Sequence, residues 1–239
     1  MNLSILQKFI DLSEIYTVSS GLIFELCDTD EKTKTFRHVI DTYHAYMRYK
    51  DTCNRRLNFL AYESSSGNLI GALGVNSAIL SLSVRDTYIG WDSKTRLKHL
   101  NQIANNYRFC LIKDNITEEN IGTRVLKELR RVSAIEWKNR YGDELLLLET
   151  LVKPPWTGTV YKADNWINVG MTKGFSFSKA PLKLWQKEDT ERGRLARENP
   201  KEAIKKYAVG STHYSIRASE PKLVFIRALR KDWQSILTA

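Results

Sequence analysis

The chain has 239 residues, 42% of them apolar, and a formal net charge of +10. That length supports one large domain or two small ones. No apolar run reaches the eighteen residues of a membrane span, and MNLSILQKFIDLSEIY lacks the basic start, apolar stretch and cleavage site of a secretory signal.

Cys27, Cys53 and Cys110 form an odd, widely spaced set with no CxxC, which suits buried thiols in a reducing, cytoplasmic setting better than a disulfide framework or a zinc site. The charge is uneven. From Lys179 onward there are 14 Lys and Arg against 7 Asp and Glu, so the last quarter holds +7 of the +10. Such an excess favours a polyanionic partner, with nucleic acid ahead of an acidic membrane surface.

In chain order, residues 3–27 predict a helix followed by a strand at GLIFELC, and 28–35 (DTDEKTKT) a polar turn region. Phe36 to Tyr49 is helix-like at its start and dense in aromatics at its end. RRLNFLAYE and LIGALGVNSAIL predict two strands of an antiparallel hairpin across SSSGN. Thr95 to Ala104 reads as a short amphipathic helix and NYRFCLIK as a strand. Thr117 is placed to cap a long helix running to about Arg140, with the carboxylates of TEEN in its first turn. Ile121, Val125, Leu129, Val132 and Trp137 lie near one face of that helix. ELLLLETLV is a continuous apolar strand of the kind buried on both sides. Val160 to Ile167 predicts a short helix before a glycine-punctuated return. LWQKEDTERGRLARENPKEAIKKY is a charged helical insert interrupted at Pro200, and PKLVFIRALR a late strand. Helices alternating with strands around a partly antiparallel sheet indicate α/β or α+β, as one domain over 1–239 with a basic helical insert at 179–215.

Four clusters could carry chemistry. TYHAYMRYK sets His44 among tyrosines, where an imidazole serves as acid/base or metal ligand, or as a half-buried ring held by one hydrogen bond. In RDTYIGW, Arg85 and Asp86 serve one site only if a turn brings them together. Asn105 and Asn106 in NNYRF can read an adenine edge or tie down a neighbouring loop. Glu149 ends a buried strand, where burial would make it a base, unless it pairs with a Lys or Arg. Hydrolase elbows, GxxxxGK[ST] and GxGxxG are absent from the sequence.

Five ordered motifs then resemble the DruA family, associated with Druantia anti-phage systems and found near transposases. HAYMRYK is similar to its HHYLGYR-like motif through His44, Tyr46 and Tyr49, with Ala45 in place of a second histidine and Arg48 in place of a glycine. RDTYIGW supplies Arg85, Asp86 and Trp91. NNYRF and LLETLV follow, the latter with Glu149 and Thr150. GTVYKADNWINVGMTKG then gives Tyr161, Lys162, Asn165, Trp166, Gly170 and Gly174.

The element order also resembles the GCN5-related acyltransferase (GNAT) fold, which implies a mixed, mostly antiparallel central sheet flanked by helices. In that comparison LIGALGV and YRFCLI are the two strands that splay apart, and the long helix presents its N-terminus to a cofactor phosphate. The acyl-CoA loop of that fold needs Q/R-x-x-G-x-G/A, whereas EENIGTRV offers only Gly122, so acyl-CoA is not expected; a metal at His44 and Asp86 is the alternative. The Mom type of DNA-modifying protein from phage Mu is similar through its His-Tyr pair.

These resemblances imply a DNA-acting protein that transfers a group to a nucleobase. His44 and Asp86 would form the acid/base pair, with Glu149 as second proton acceptor. Tyr46, Tyr161 and Trp166 would shape the pocket or stack on a flipped base, with Tyr49, Arg85 and Asn106 beside them. Asn105 or Asn165 would read the base edge. Lys162, Lys173, Lys183, Arg192, Arg194, Lys205 and Lys206 would hold phosphates. The partners implied are DNA, with a helicase or other defence-system proteins, and no membrane. The rival expectations are a non-catalytic DNA-recognition module and a metal-dependent nuclease using Asp86 and Glu149.

Overall fold

The computed structural model describes residues 15–17, 21–45, 47–50, 55–179, 185–199, 202–203, 206 and 214–239. The strands in chain order are β1 (Ile15–Thr17), β2 (Leu22–Leu26), β3 (Arg56–Glu63), β4 (Leu69–Ser77), β5 (Ile103–Leu111), β6 (Leu147–Val152), β7 (Ile167–Met171), β8 (Phe175–Lys179), β9 (Tyr214–Ala218) and β10 (Leu223–Ala228). The helices are α1 (Asp30–Tyr43), α2 (Ser83–Ile89), α3 (Ser93–His99), α4 (Ile121–Tyr141), α5 (Thr159–Ala163), α6 (Glu191–Glu198) and α7 (Trp233–Leu237). The chain divides into two compact units, Met1–Met171 with Leu223–Ala239, and Thr172–Lys222.

In the larger unit, the described strands form one sheet in the order β1-β2-β3-β4-β5-β6-β10-β7. Its pairs are antiparallel except β5 with β6. Alternate residues of each strand feed opposite faces. Phe59 and Ala61 pack with Val125, Leu126 and Leu129 of α4, while Leu60 packs with Phe36, Val39 and Ile40 of α1. Ile103, Leu147 and Ile226 form a third cluster with Ile89, Trp233 and Leu237. The result is the expected mixed, mostly antiparallel sheet flanked by helices.

Several local expectations need correction. The region 28–35 is not a turn: Thr29 accepts from the Lys32 N–H at 3.3 Å and starts α1, with Asp30 and Glu31 in its first turn. Its polar opening is capping chemistry, which hides the apolar period until Phe36. Thr117 does not cap α4. Its hydroxyl donates to Glu63 at 2.7 Å, and Asn120, at φ 55°, takes the cap position, so Glu118 and Glu119 precede the first turn. The helix expected over 95–104 is α3, ending at His99, and the one expected over 160–167 is α5, ending at Ala163. Of the helix expected within 3–27, residues 3–14 lie outside the described residues, while Ile15–Thr17 is a strand.

The splaying strands are also a different pair. β4 and β5 remain partners from Gly71↔Leu111 to Ser77↔Ala104, whereas β5 meets β6 only over Ile103–Asn105 with Leu147–Glu149. The β4–β5 register shifts between Gly74 and Val75, which leaves Tyr107 as an extra residue in β5. Such a bulge bends its strand, and here β5 turns away from β6 at that point. The Asn106 amide fastens the bulge, donating to the carbonyls of Gly74 at 2.9 Å and Arg108 at 2.8 Å.

On the α2 face of β6 lies a buried ion network. Arg85 and Glu149 are both 0% exposed. The Arg85 guanidinium donates to Glu149 Oε2 at 2.8 Å, to the Ile79 carbonyl at 2.8 Å and twice to Asp86 Oδ1, while Glu149 Oε1 accepts from the Ile79 N–H at 2.7 Å. Arg96 completes it on Asp86 Oδ2 at 3.0 Å. The network locks α2 and the segment before it to the sheet.

Removing one member of such a pair leaves its partner charged and buried. Arg85→Met is expected to cost about 3–5 kcal/mol in urea melts, and Arg85→Met with Glu149→Leu to recover much of that loss. Met171 and Leu223 are cross-strand partners, so Thr172–Lys222 leaves and re-enters the larger unit at neighbouring positions. Replacing it with a short Gly-Asn turn is expected to keep a cooperative melt by circular dichroism, with a midpoint within about 4 °C of the parent.

Candidate functional site

Where β5 and β6 part, a cavity of about 530 Å³ opens between them, a size typical of small-ligand sites. It runs through the sheet. Tyr161 of α5 enters from the α4 face, and Tyr43 and His44, at the end of α1, line it from the other. The segment after β6 closes one side with Trp156, Thr157 and Gly158.

The inner wall is held by a short hydrogen-bond chain. The Tyr161 hydroxyl donates to Asn106 Oδ1 at 2.8 Å. Thr150 donates its hydroxyl to the Asn106 carbonyl at 2.9 Å, and its oxygen lies 3.5 Å from the Tyr161 hydroxyl. Phe225 stacks on the Tyr161 ring at 6.0 Å and Trp166 meets it edge-on at 5.0 Å, so the phenol is fixed in direction as well as place. Gly158 makes this seat possible. Its φ of +72° is left-handed, and a Cβ there would lie 2.5 Å from the Phe225 ring.

His44 is half-buried, and its backbone N–H closes α1 on the Ile40 carbonyl at 3.2 Å. Burial, with the nearby Arg108 guanidinium, holds its imidazole below the ordinary value, which favours the neutral ring. Arg108 is itself anchored, with one nitrogen on the Tyr107 carbonyl at 2.8 Å and its guanidinium 4.8 Å above the Tyr107 ring. A neutral imidazole that lines a cavity can accept a proton from a group bound there.

Of the residues singled out by sequence, His44, Asn106, Thr150 and Tyr161 line this cavity. The other described candidates of the larger unit do not. Asp86 does not share a cleft with His44. Its two oxygens belong to Arg85 and Arg96, and neither Asp86 nor Arg85 lines the cavity. Glu149 neighbours Thr150 on β6 but faces the opposite side, sealed and engaged at both oxygens, so it is no proton acceptor for a ligand here. Burial pushes its carboxyl up, and the Arg85 guanidinium opposes that shift.

Asn105 lies outside the cavity lining, its amide nitrogen on Asn76 at 3.2 Å, and the Asn106 amide is engaged at both atoms, so neither offers its amide to a base in the cavity. Trp166 is 4% exposed and donates to Asp164 Oδ2 at 2.9 Å; it supports Tyr161 from behind instead of facing a ligand. Asn165 is an exposed turn residue at φ 57°, outside the cavity lining. Tyr49 packs edge-on against Phe36 at 6.1 Å beneath the Arg37 guanidinium. Tyr46 lies outside the described residues.

Among the basic residues, Lys162 and Lys173 are exposed. In the smaller unit Arg192 pairs with Glu188 at 2.6 Å, Arg194 with Glu198 at 3.8 Å and Lys206 with Glu191 at 2.7 Å. Lys183 and Lys205 lie outside the described residues. Sequence reasoning set Tyr43 beside His44 without giving it a role, and missed Trp156 and Thr157. The run PPWTG, turn residues around one large aromatic, was the available signal for the last two.

The residues present do not fit two groups that the fold or the motifs suggest. At the N-terminus of α4, Gly122 serves close packing, since a Cβ there would lie 2.8 Å from Val160. Glu118 and Glu119 precede that helix, and Arg124 is paired with Glu118, so a CoA pyrophosphate would meet carboxylates where it needs free N–H groups and cations. A metal at His44 and Asp86 lacks a common site. Among the described residues no three His, Cys, Asp or Glu side chains gather in a way that could hold an ion. No helix among these residues is long and apolar enough to cross a membrane.

Comparison with known proteins agrees with the motif order. The family model described as Druantia protein DruA matches residues 3–180. A curated relative, Druantia protein DruA of Escherichia coli (strain UMEA 4076-1), is 38% identical over 53 residues, which span 22% of this chain and 13% of that protein's length. Among solved structures, the acetyl transferase of Salmonella typhimurium that modifies the N-terminal serine of ribosomal protein L7/L12 is similar at a TM-score of 0.48 and 10% identity, covering 91% of this chain and 100% of that one. The spermidine N-acetyltransferase of Vibrio cholerae is similar at 0.45 and 9%, covering 92% and 100%. With the family match extending over most of its length, this chain belongs to the DruA family.

Proposed function

We propose that this chain acts on DNA within a phage-defence or mobile-element system and transfers a group to a nucleobase. The observation that carries this reading is the cavity between β5 and β6, which brings His44 and Tyr161 to one opening in a chain of net charge +10. The Mom-type comparison belongs to the same reading. An exocyclic or ring nitrogen of the base would attack the transferred group. The new bond forms at that nitrogen, the donor's leaving group departs with its electron pair, and the released proton passes to the neutral His44 imidazole. Tyr161, aimed by Asn106, would hold the reacting end in place. The donor itself is not identified by these residues.

One observation favours a second reading, a recognition module that binds DNA while a partner such as a helicase does the work. Two of the four expected catalytic groups, Asp86 and Glu149, are bound up in structural pairs. The nuclease reading loses its carboxylates for the same reason.

Mass spectrometry of nucleosides from cells expressing the protein separates these readings. A new nucleoside whose level falls about 100-fold or more with His44→Ala supports group transfer. Unmodified DNA together with intact DNA binding supports the module. The protonation state of His44 gives an independent check. With its pKa below the ordinary value of about 6.5, the base-competent form dominates at neutral pH, and modification should fall only as pH drops through that lowered value. Titration of the His44 ring by NMR should place its midpoint below 6.5.

A further inference from the structure

Past Asn105 and Glu149, β5 and β6 no longer pair, and Phe109, Cys110 and Leu111 of one strand and Thr150, Leu151 and Val152 of the other line the cavity. Successive strand side chains leave on opposite faces, so a wall that includes both Cys110 and Leu111 is the edge of β5. In an antiparallel ladder, alternate residues turn both backbone groups toward the partner strand and the residues between turn both away. Ile112 donates its N–H to the Ile70 carbonyl at 2.9 Å, and the register sets Cys110 opposite Ala72. Cys110 therefore faces β4, while Phe109 and Leu111 direct N–H and C=O across the gap. On the far side Leu229 donates to the Leu146 carbonyl at 2.9 Å, and the same count along β10 turns Leu151 toward the gap. Among the described residues, no hydrogen bond reaches the backbone groups of Phe109, Leu111 or Leu151 on that side. Such groups are obligatory hydrogen-bonding groups once water is displaced. The nearby side-chain amide cannot stand in for them, since Asn106 uses its nitrogen and its oxygen within the protein.

We propose that the bare edge of β5 at Phe109 and Leu111 reads the Watson–Crick edge of one unpaired nucleobase. This deepens the preceding reading and rests on it for the nucleic-acid substrate. Along that edge the Phe109 carbonyl is followed by the Leu111 N–H, an acceptor beside a donor. Every base carries the complement, a donor next to an acceptor, as in the amino group and ring nitrogen of adenine. Extruded bases are read on this edge, and a base within a duplex has it occupied by its partner. The backbone pair does not by itself choose among the four bases, because each presents a donor beside an acceptor. An added polypeptide strand fits less well. Strands run to about 5–6 residues, whereas the free groups here belong to two residues of β5. They are bounded at one end by the Tyr161–Asn106 hydrogen bond and at the other by the end of the strand at Leu111.

The test uses the full chain and fluorescein-labelled oligonucleotides of abasic sugar-phosphate units that carry one central base, read by anisotropy at low salt. Adenine and thymine should each bind more tightly than the bare spacer. Methylating away the Watson–Crick donor, on the adenine amino group or the thymine imide, should weaken base-dependent binding by about 5- to 100-fold. Deazaadenine changed only at N7, which lies on another edge, should stay within about 3-fold of adenine. Exchanging the Leu111 amide for an ester, by incorporation of the α-hydroxy acid, removes the N–H and keeps the side chain; it should cause a loss of about 5- to 100-fold. The same exchange at Cys110, whose N–H faces β4, should lower the melting midpoint more than the Leu111 ester does and leave binding within about 3-fold of the parent. Base-dependent binding that ignores both the methylated bases and the Leu111 ester overturns the edge and leaves the DNA-acting reading standing. Ester-sensitive binding of deoxynucleoside monophosphates without oligonucleotide binding supports the edge and removes DNA as the substrate. Ester-sensitive binding of an acetylated Ser-Val-Ser-Val-Ser peptide, with the base series flat, overturns the nucleobase and assigns the edge to a polypeptide strand. Failure of the parent to bind any of these probes overturns both the edge and the DNA-acting reading.

Discussion

The architecture of the site depends on one carboxamide. Asn106 spans the bulge at Tyr107 with its nitrogen and holds the Tyr161 hydroxyl with its oxygen. Each bond contributes on the order of 1 kcal/mol, yet together they decide two larger matters. They fix where β5 leaves β6, and so where the sheet opens. They also fix the direction of the Tyr161 phenol in the opening. A straight β5 would continue its parallel ladder past Asn105 and close the space in which a ligand could sit.

Adjacent residues of β6 show how strand alternation divides structure from chemistry. Thr150 joins the hydrogen-bond chain of the cavity wall, while Glu149, one position earlier, is sealed against Arg85 on the other face. A carboxylate at the rim of a sheet looks like a base when only its position along the chain is known. Here the partner is supplied from α2, so the charge is spent on holding that helix and the segment before it. The RD pair belongs to this same network, and its proximity to Trp91, 5.6 Å from the Arg85 guanidinium, packs α2 toward the α7 end of the core.

Much of this was legible in the residues. The hairpin of β3 and β4, the apolar run of β6 and the buried face of α4 carry periodicities set by burial alone, and the motif order led to the correct family. The opening between β5 and β6 was assigned to the wrong pair of strands, because a splay has no sequence period and depends on a bulge that one inserted residue creates. The start of α1 was hidden by its own capping residues. Asp86 and Glu149 were misplaced for a related reason: spacing does not tell which arginine a carboxylate will meet. Tyr43 was noted beside His44 without a role and Trp156 escaped notice, because one sits in a helix and the other in a proline-rich turn, and only the fold brings them to a common cavity.

The position of β10 has a bearing on how the molecule is made. It lies between β6 and β7, and among the described residues β7 has no other strand neighbour. During synthesis from the N-terminus, the strand that covers the outer edge of β6 therefore emerges only after the whole of Thr172–Lys222 has been translated. Until then the nascent chain carries β6 with one edge bare and β7 unattached, a state exposed to mispairing. A ribosome pausing within that insertion would hold the wall of the cavity half built, and the site can first become competent when the codons for Leu223–Ala228 have been read and their product has cleared the exit tunnel.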